Sequence, residues 1–418
     1  MKMRLIFITN FYPPPSLGGY ELWCQEIAEG LRERGHDIVV LTSNYLDGYK
    51  SIEEPDWIHR RLHLEMEFKE FSNALRFFFL RKRVESENDQ IVNSLLDSFI
   101  PDGICIWGMW NLSRSILEIV EKRLPGRVIY YMGDYWPFLP SQNELYWKAP
   151  AKNIYIALPK KALAWFAQKI MAEEELYKAK FEHILFPSKF MQKEFKDKAL
   201  IPEHSLIVYG ASDLHSYLGK NRLPFAHRKM SLLFVGRLEQ EKGVHTAIQA
   251  AAILVNKRQF RNFQLRIVGS GNKIYEHNLR EMVRDSHLEE FVSFSGSVEK
   301  DQMPELFSLA DVFLFTSIWQ EPFGRVIVEA MASGTVVVGT ATGGSAEILI
   351  NERTGLTYPP ENADKLADRI MQLYSDPDLF KTLSIEGRKV AEEKFSTRRM
   401  AGEIEEYFLS LLAYEAAT

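Results

Sequence analysis

The sequence has little of what marks several common protein classes. Its 418 residues include only two cysteines, Cys24 and Cys105, so a disulfide framework is excluded and a reducing compartment is expected. No stretch approaches the roughly 18 consecutive apolar residues of a membrane-spanning helix. Positive charge is not in excess, because 51 basic and 56 acidic side chains give a net charge of −5. That balance argues against a dedicated nucleic-acid-binding protein.

Motifs of several cofactor and metal sites are missing as well. The first glycine-rich loop has no G-x-G-x-x-G fingerprint, the P-loop pattern ending in Lys-Ser/Thr is absent, and no His/Cys cluster has zinc spacing. Asp376-Pro377-Asp378 looks like a metal-binding pair, but it lies between two helical segments and far from any strand end. A helix N-cap is the better interpretation. We therefore expect neither a cofactor nor a metal requirement.

Apolar runs alternate with amphipathic helical segments along most of the chain, which predicts parallel strands joined by right-handed crossovers. The segment 134–180 is too long for an ordinary connection, and 213–229 is the best linker candidate. A last helix, about 397–413, has no strand after it. The predicted strands are 5–8, 38–41, 103–107, 127–131 and 184–186 in the first half, and 232–235, 265–268, 292–294, 312–315 and 335–338 in the second.

The economical fold is α/β, with two doubly wound Rossmann-like domains that face each other across a cleft. We place the first domain at 1–212, with the C-terminal helix 396–418 packing back on it. The second domain spans 229–395. Ligands bind at the carboxyl ends of strands in such sheets, so the loops that follow strands are the places to search.

Two of these loops combine glycines with features that suit an anion. Gly18-Gly19 precedes a helix, whose N-terminus favours negative charge, although a flexible turn has the same composition. The loop from Gly236 to Gly243 carries Arg237 and Lys242, which suit a diphosphate; a solvated surface turn is the alternative.

Two further loops add carboxylates. Glu321 lies at the start of a helix expected near Phe323, where it could contact a sugar hydroxyl or stabilise the helix dipole. Glu329 lies among apolar neighbours, so its carboxylate needs a partner. Gly343-Gly344 repeats the pattern of glycines before a short helix. The four loops together are far more specific than any one of them.

The second half resembles a retaining glycosyltransferase of the two-domain GT-B type, family 4. The resemblance rests on Gly236-Arg237 with Glu241-Lys242-Gly243, on Glu321 and Glu329 separated by seven residues in a segment that starts EPFG, and on Gly343-Gly344 with Glu347. The first half adds Gly18-Gly19 and Arg34-Gly35-His36-Asp37. The resemblance extends from about residue 3 to about residue 395.

The resemblance implies a nucleotide-sugar donor held mainly by the C-terminal domain. Arg237 and Lys242 would hold the diphosphate, Glu329 the ribose, and Glu321 the donor sugar, while the final helix would cross back to the N-domain. Val298 would lie by the base, and Gly19 would let the N-domain loop close over the phosphates. The implied donor-binding residues are Gly18, Gly19, Gly236, Arg237, Lys242, Gly269, Val298, Glu321, Phe323, Gly324, Arg325 and Glu329.

One departure from the family pattern lies in the first half. Many relatives carry His-Asp after the strand at 127–131, whereas this chain has Gly133-Asp134. We predict Glu321, Arg237, Lys242 and Asp134 as catalytic residues. The aromatic cluster after N-domain strands predicts an acceptor side, or else a local core of the insertion. The acceptor-side residues predicted are Trp110, Asp134, Tyr135 and Trp136.

The resemblance implies transfer of a hexose-type sugar from a nucleoside-diphosphate sugar to a hydroxyl of a glycan, lipid-linked or small-molecule acceptor. A nucleotide-sugar epimerase of similar architecture is the alternative, and an idle sugar-nucleotide-binding module is a third. We expect a cytoplasmic protein without nucleic-acid partners. Segments 77–83 and 160–166 set aromatic side chains beside cations, which leaves peripheral contact with the inner membrane face open. Helices that pack their apolar faces inward are the favoured interpretation.

Overall fold

The computed structural model describes residues 1–14, 18–46, 53–67, 70–151, 153–173, 177–200, 202–218 and 228–417. The chain divides into two compact units. The first unit comprises Met1–Phe186, Lys198–Val208 and Ala401–Thr418, and the second comprises Pro187–Asp197 and Tyr209–Met400. Residues 219–227 of the predicted linker lie outside the described residues, and the predicted domain limits 1–212 and 229–395 stay predictions.

Helices connect the strands in both units. In chain order they are α1 (Gly19–Glu33), α2 (Glu70–Leu75), α3 (Arg81–Phe99), α4 (Ser115–Arg123), α5 (Gln142–Lys148), α6 (Ile154–Glu173), α7 (Lys189–Asp197), α8 (Val244–Ala252), α9 (Lys273–Asp285), α10 (Met303–Leu309), α11 (Arg325–Ala332), α12 (Ala363–Ser375), α13 (Pro377–Lys394) and α14 (Thr397–Ala417). Shorter 3₁₀ segments are Trp136–Phe138, Gln240–Lys242, Lys300–Gln302 and Gly343–Glu347, and π-helical segments are Arg76–Leu80 and Ile253–Lys257.

The first unit is built on a parallel sheet with seven described strands. They are β1 (Arg4–Thr9), β2 (Asp37–Ser43), β3 (Ile58–Leu62), β4 (Gly103–Gly108), β5 (Val128–Tyr131), β6 (His183–Phe186) and β7 (His204–Ile207). Their order is β3-β2-β1-β4-β5-β6-β7, so the direction of winding reverses between β1 and β4. The central strands are buried on both faces, which explains their unbroken apolar sequences.

The second unit repeats this plan with six described strands, again all parallel. They are β8 (Met230–Val235), β9 (Phe263–Val268), β10 (Val292–Phe294), β11 (Val312–Phe315), β12 (Val336–Gly339) and β13 (Leu356–Thr357), in the order β10-β9-β8-β11-β12-β13. The reversal of winding lies between β8 and β11. A crevice at such a reversal is where doubly wound sheets bind ligands.

The last helix belongs to the first unit from Ala401 onward. Glu405 on α14 accepts a hydrogen bond from Arg34 at 2.5 Å and contacts the His36 ring at 2.9 Å, just beyond the end of α1. Phe408 is buried against Gly103, where a Cβ atom would lie 2.7 Å from its ring. The predicted return of the C-terminal helix to the first domain is therefore confirmed, and so are the two Rossmann-like sheets.

The sequence analysis missed three strands, and all of them pair weakly or lie at a sheet edge. The sequence of β3 is Ile-His-Arg-Arg-Leu, which lacks an apolar run, and most of β7 is exposed. The third, β13, has only two residues. Edge strands bury little surface, so their composition carries little periodic signal.

The expectation that segment 160–166 packs its apolar face inward is wrong. Between residues 157 and 172 of α6, only Ala164 and Ala167 are buried, while Trp165 and Phe166 are exposed. For segment 77–83 the same expectation holds only in part, because Phe77 is buried whereas Phe79 is exposed. Among the described residues, no helix has the length and apolar character needed to cross a bilayer.

Candidate functional site

The loop after β8 is shaped by glycines at its two ends. Gly236 has a φ of +158°, and its N–H donates to the Val268 carbonyl oxygen at 3.1 Å. Gly243 has a left-handed φ of +65° and precedes α8 directly. A Cβ atom at Gly243 would lie 2.1 Å from the Thr316 carbonyl oxygen. Only glycine therefore lets this loop approach the loop after β11 so closely.

Lys242 and Glu321, both predicted from sequence, meet in the second unit. The Lys242 Nζ lies 2.5 Å from Glu321 Oε1, and the Ser317 hydroxyl donates to the same oxygen at 2.8 Å. The Thr316 hydroxyl donates to the Lys242 carbonyl oxygen at 2.7 Å. Both charged side chains are partly buried, so solvent reaches the pair only in part. The pair joins the loop after β8 to the loop after β11. The arrangement fixes a cation and a carboxylate side by side at the strand ends.

Arg237 is held differently from Lys242. Its guanidinium is exposed and lies 3.4 Å from Glu241 Oε1, an i,i+4 pair on the same loop. An exposed pair of this kind contributes little to stability, so the side chain can exchange that partner for an anionic ligand at small cost.

The EPFG segment forms a tight turn into α11. Gly324 has a left-handed φ of +115° at the N-cap, so the helix begins at Arg325, two residues later than the start expected near Phe323. Phe323 is buried, and its ring lies 5.5 Å from the ring of Phe395. This anchor fixes the turn that carries Glu321.

Glu329 lies inside α11 and is buried. Its Oε1 accepts hydrogen bonds from Arg325 Nε at 2.8 Å and from the Ser212 hydroxyl at 2.9 Å. The buried carboxylate thus has the partners that its apolar neighbourhood led us to expect. Its predicted contact with a ribose stays a prediction.

The second glycine pair supports the backbone of Glu321. The Gly344 N–H donates to the Glu321 carbonyl oxygen at 2.6 Å. Gly343 has a φ of +61°, and a Cβ atom there would lie 2.5 Å from the same oxygen. Glu347 has a separate task, because its carboxylate accepts from the Lys189 and Phe190 N–H groups at the start of α7.

The remaining predicted donor-side residues follow β9 and β10. Gly269 has a φ of +138°, and a Cβ atom there would lie 1.9 Å from the Gly236 carbonyl oxygen. Its N–H donates to the Gly296 carbonyl oxygen at 2.8 Å. Val298, two residues further, is partly buried. The carboxyl edge of the second sheet therefore gathers the predicted residues of that unit on adjoining loops.

In the first unit, Gly18 and Gly19 are exposed at the start of α1, and residues 15–17 before them lie outside the described part of the chain. Gly18 has an extended backbone with a φ of 179°.

Tyr20 gives a physical reason for the glycine at position 133. A Cβ atom at Gly133 would lie 2.4 Å from the Tyr20 ring. The single proton of the Tyr20 hydroxyl is shared between the carbonyl oxygens of Trp107 and Tyr131, at the ends of β4 and β5. A histidine at position 133 would collide with this ring. Tyr20 is a residue that the sequence analysis missed.

Asp134 lies next to this contact. Burial raises the pKa of Asp134 to about 7; the Trp136 N–H, which donates to Asp134 Oδ1 at 3.2 Å, opposes that rise, and the Glu21 carboxylate adds to it. A carboxyl group with a pKa near neutrality can exist in both protonation states under physiological conditions.

The first unit also contains a cavity of about 770 Å³ at the carboxyl ends of β3, β4 and β5. Trp110 and Trp136 line it, whereas Asp134 and Tyr135 are not among its described lining residues. The indole N–H of Trp136 has no hydrogen-bond partner among the described residues, and neither has the side-chain oxygen of Asn143, which also lines the cavity. Both atoms are themselves buried, so neither is presented to a ligand in the cavity.

Charged side chains in this cavity were not predicted as a site. Burial raises the pKa of Glu65 to about 7; Glu85 adds to the rise, while Arg114 and Arg81 oppose it. Arg114 also donates to the Leu139 carbonyl oxygen at 3.3 Å. Glu65 follows β3, a strand that the sequence did not reveal, so no motif pointed to it.

Comparison with known proteins agrees with this geometry. Residues 219–390 match the family model described as glycosyl transferases group 1. A D-inositol 3-phosphate glycosyltransferase of Pseudarthrobacter chlorophenolicus is 38% identical over 148 residues, which cover 35% of this chain and 34% of that protein. The chain thus matches about a third of that relative's length.

Two comparisons extend over the whole chain. The N-acetyl-alpha-D-glucosaminyl L-malate synthase of Bacillus anthracis is 25% identical over 99% of this chain and 98% of that protein. The crystal structure of Anabaena HepE in complex with UDP-glucose covers 98% of this chain and 100% of its own, with a TM-score of 0.65 and 20% identity. The resemblance to GT-B glycosyltransferases inferred from the loop motifs is confirmed.

The close approach at Gly243 predicts a large effect of a single methyl group. Gly243→Ala would place its Cβ against the Thr316 carbonyl, whereas Gly296, with a similar φ of +69°, has open space around its Cβ position. We expect Gly296→Ala to cost about 1 kcal/mol from backbone strain alone. Gly243→Ala should cost at least twice as much, as measured by urea unfolding. Equal losses in the two variants would show that the contact between the loops does not matter.

Asp134 predicts a pH-dependent stability. Its pKa is about 7 in the fold and near 4 in the unfolded chain, so folding stabilises the protonated form and stability falls as pH rises from 4 to 7. Asp134→Asn removes this penalty and should gain on the order of 4 kcal/mol at pH 8, with almost no gain at pH 4.

Asp37 provides the control of opposite sign in the same thermal unfolding series. The hydrogen bond from Lys2 lowers the pKa of the Asp37 carboxyl, so Asp37→Asn should lose stability above pH 4 instead of gaining it. A gain for Asp134→Asn that is the same at pH 4 and pH 8 would contradict the assigned titration.

Proposed function

We propose that this chain, whose residues 219–390 belong to the glycosyl transferases group 1 family, transfers a hexose-type sugar from a nucleoside-diphosphate sugar to an acceptor hydroxyl with retention of configuration. The acceptor is a glycan, a lipid-linked molecule or a small molecule. The observation that carries the proposal is the Lys242–Glu321 pair, held at the carboxyl edge of the second sheet by loops that meet through glycines.

The donor's diphosphate is assigned to the loop after β8. Lys242 offers a partly buried cation. Arg237 offers an exposed guanidinium that forms a weak ion pair with Glu241. Glu321 then contacts the sugar and Glu329 the ribose. The UDP-glucose complex of the structurally similar Anabaena HepE supports a nucleotide-sugar donor.

The chemical step breaks the bond between the anomeric carbon and the diphosphate oxygen and forms a bond from that carbon to the acceptor oxygen. The departing diphosphate takes the acceptor's proton on the same face of the sugar. Negative charge grows on the diphosphate in the transition state, so Lys242 and Arg237 stabilise the transition state more than the ground state.

The acceptor is assigned to the cavity of the first unit. Trp110 and Trp136 offer aromatic faces, while Arg114 offers donors to a hydroxylated or anionic molecule. The names of the two relatives, which specify inositol 3-phosphate and L-malate, support a polar acceptor.

Transfer without a metal ion is part of the proposal, and unchanged turnover in EDTA tests it. A cytoplasmic location is also proposed. Its support is that Cys24 and Cys105 are both free thiols in the fold.

A donor panel tests the function. The purified chain is incubated with UDP-, GDP- and ADP-sugars, with and without an acceptor mixture, and nucleoside diphosphate is measured together with the sugar product. We expect diphosphate release with one donor, stimulated by acceptor. A changed sugar that still carries its nucleotide would establish the epimerase alternative instead. Binding of a nucleotide sugar with no turnover would identify an idle binding module.

The roles of the two cations predict a specific kinetic pattern. Lys242→Gln and Arg237→Gln should each lower kcat by about 10²- to 10³-fold and change the donor KM much less, because each cation acts mainly in the transition state. Lys257→Gln, an exposed lysine at the end of a π-helical segment of the same unit, is the control and should leave both constants unchanged. Small and equal changes in kcat and KM would argue against the assignment.

A further inference from the structure

Helix α6 exposes large apolar side chains that the fold leaves uncovered. Leu158 is 80% exposed, Trp165 is 60% exposed and Phe166 is 54% exposed. A helix with so much apolar surface is ordinarily buried in a core or placed against another apolar phase.

Basic residues outnumber acidic ones on α6. The helix contains Lys160, Lys161 and Lys169 and one acidic residue, Glu173, at its last position, in a chain whose net charge is −5. Lys169 lies 6.0 Å from the centre of the exposed Trp165 ring, so this cation and this ring share one surface, whereas Lys160 lies 4.4 Å from the Tyr146 ring on the side of the helix that packs on the unit. Aromatic and basic side chains together on an exposed helix are typical of the interface of an anionic bilayer.

The helix is anchored to the body of the first unit by a small core. Ala164 and Ala167 pack against Phe77 and Trp147, while Phe79, in the same π-helical segment as Phe77, is 76% exposed. The anchoring residues are small, so α6 rests on the unit with its larger side chains turned to solvent. The exposed surface is therefore attached to a fixed support.

The same helix forms part of the wall of the 770 Å³ cavity. Gln168, Met171 and Ala172 line that cavity together with Phe77 and Arg81. A surface that α6 docks on is therefore next to the cavity assigned to the acceptor.

A second copy of the chain is the other candidate occupant of this face, and the experiment below distinguishes it from a bilayer. An anionic lipid surface is complementary both to the lysines and to the rings.

We propose that the exposed face of α6, together with Phe79, docks on an anionic membrane, and that the acceptor is a lipid whose polar headgroup enters the adjoining cavity. The nature of the acceptor rests on the proposed function, but the docking does not.

Vesicle sedimentation of the full chain, without donor, tests the docking. We expect binding to vesicles of phosphatidylcholine with phosphatidylglycerol, and weaker binding to phosphatidylcholine alone. The paired lysine change Lys161→Gln with Lys169→Gln should weaken binding to the anionic vesicles roughly thirtyfold. The double change Trp165→Ser and Phe166→Ser should weaken it about tenfold or more.

Ile274→Ser is the matched control, because Ile274 is 74% exposed on α9 of the second unit and should not contribute to vesicle binding. All variants must show the thermal unfolding midpoint of the wild type. Sedimentation of the α6 variants at the wild-type level, or no binding by the wild type, would overturn the docking. A wild-type dimer that the double change dissociates, with no vesicle binding, would assign the face to a second copy instead. Vesicle binding without turnover of any nucleotide sugar would keep the docking and reject the proposed function.

Discussion

The carboxyl edge of the second sheet depends on contacts that only a residue without a side chain can make. Gly243 touches the backbone at Thr316, Gly269 touches Gly236, and Gly343 touches the backbone of Glu321. These contacts bring consecutive loops together with no side chain between them. The Lys242–Glu321 pair joins two of these loops, so the distance between its two charged groups depends on the glycine contacts. The position of the charges is therefore set by the packing of the backbone.

Much of this edge was predictable from sequence, because glycine, basic and acidic residues follow strands that have clear apolar runs. The sequence placed Lys242 and Glu321 in loops after β8 and β11, and a parallel sheet brings such loops to one edge. It did not reveal that Ser317 binds Glu321 or that Ser212 binds Glu329. A serine hydroxyl has no pattern of its own, and Ser212 is 117 residues away from its partner.

The first unit was predicted less completely, for two physical reasons. Its edge strand β3 carries histidine and arginines, so the strand and the Glu65 side chain beyond it gave no periodic signal. The aromatic residues gave a signal that did not distinguish an acceptor site from a local core. Trp136 proved to line a cavity, whereas Tyr20 packs against Gly133 and occupies the space that a side chain at that position would need. Composition could locate the cluster but not separate these roles.

The path of the chain has a consequence for how the protein can be made. Segment Pro187–Asp197 belongs to the second unit although β6 and β7 on either side of it belong to the first, and residues from Ala401 onward return to the first unit. The start of α7 is held by Glu347, which the ribosome adds about 160 residues later. The α7 segment therefore lacks its Glu347 contact until that residue has been synthesised, and a single cut between β6 and β7 cannot separate the two units.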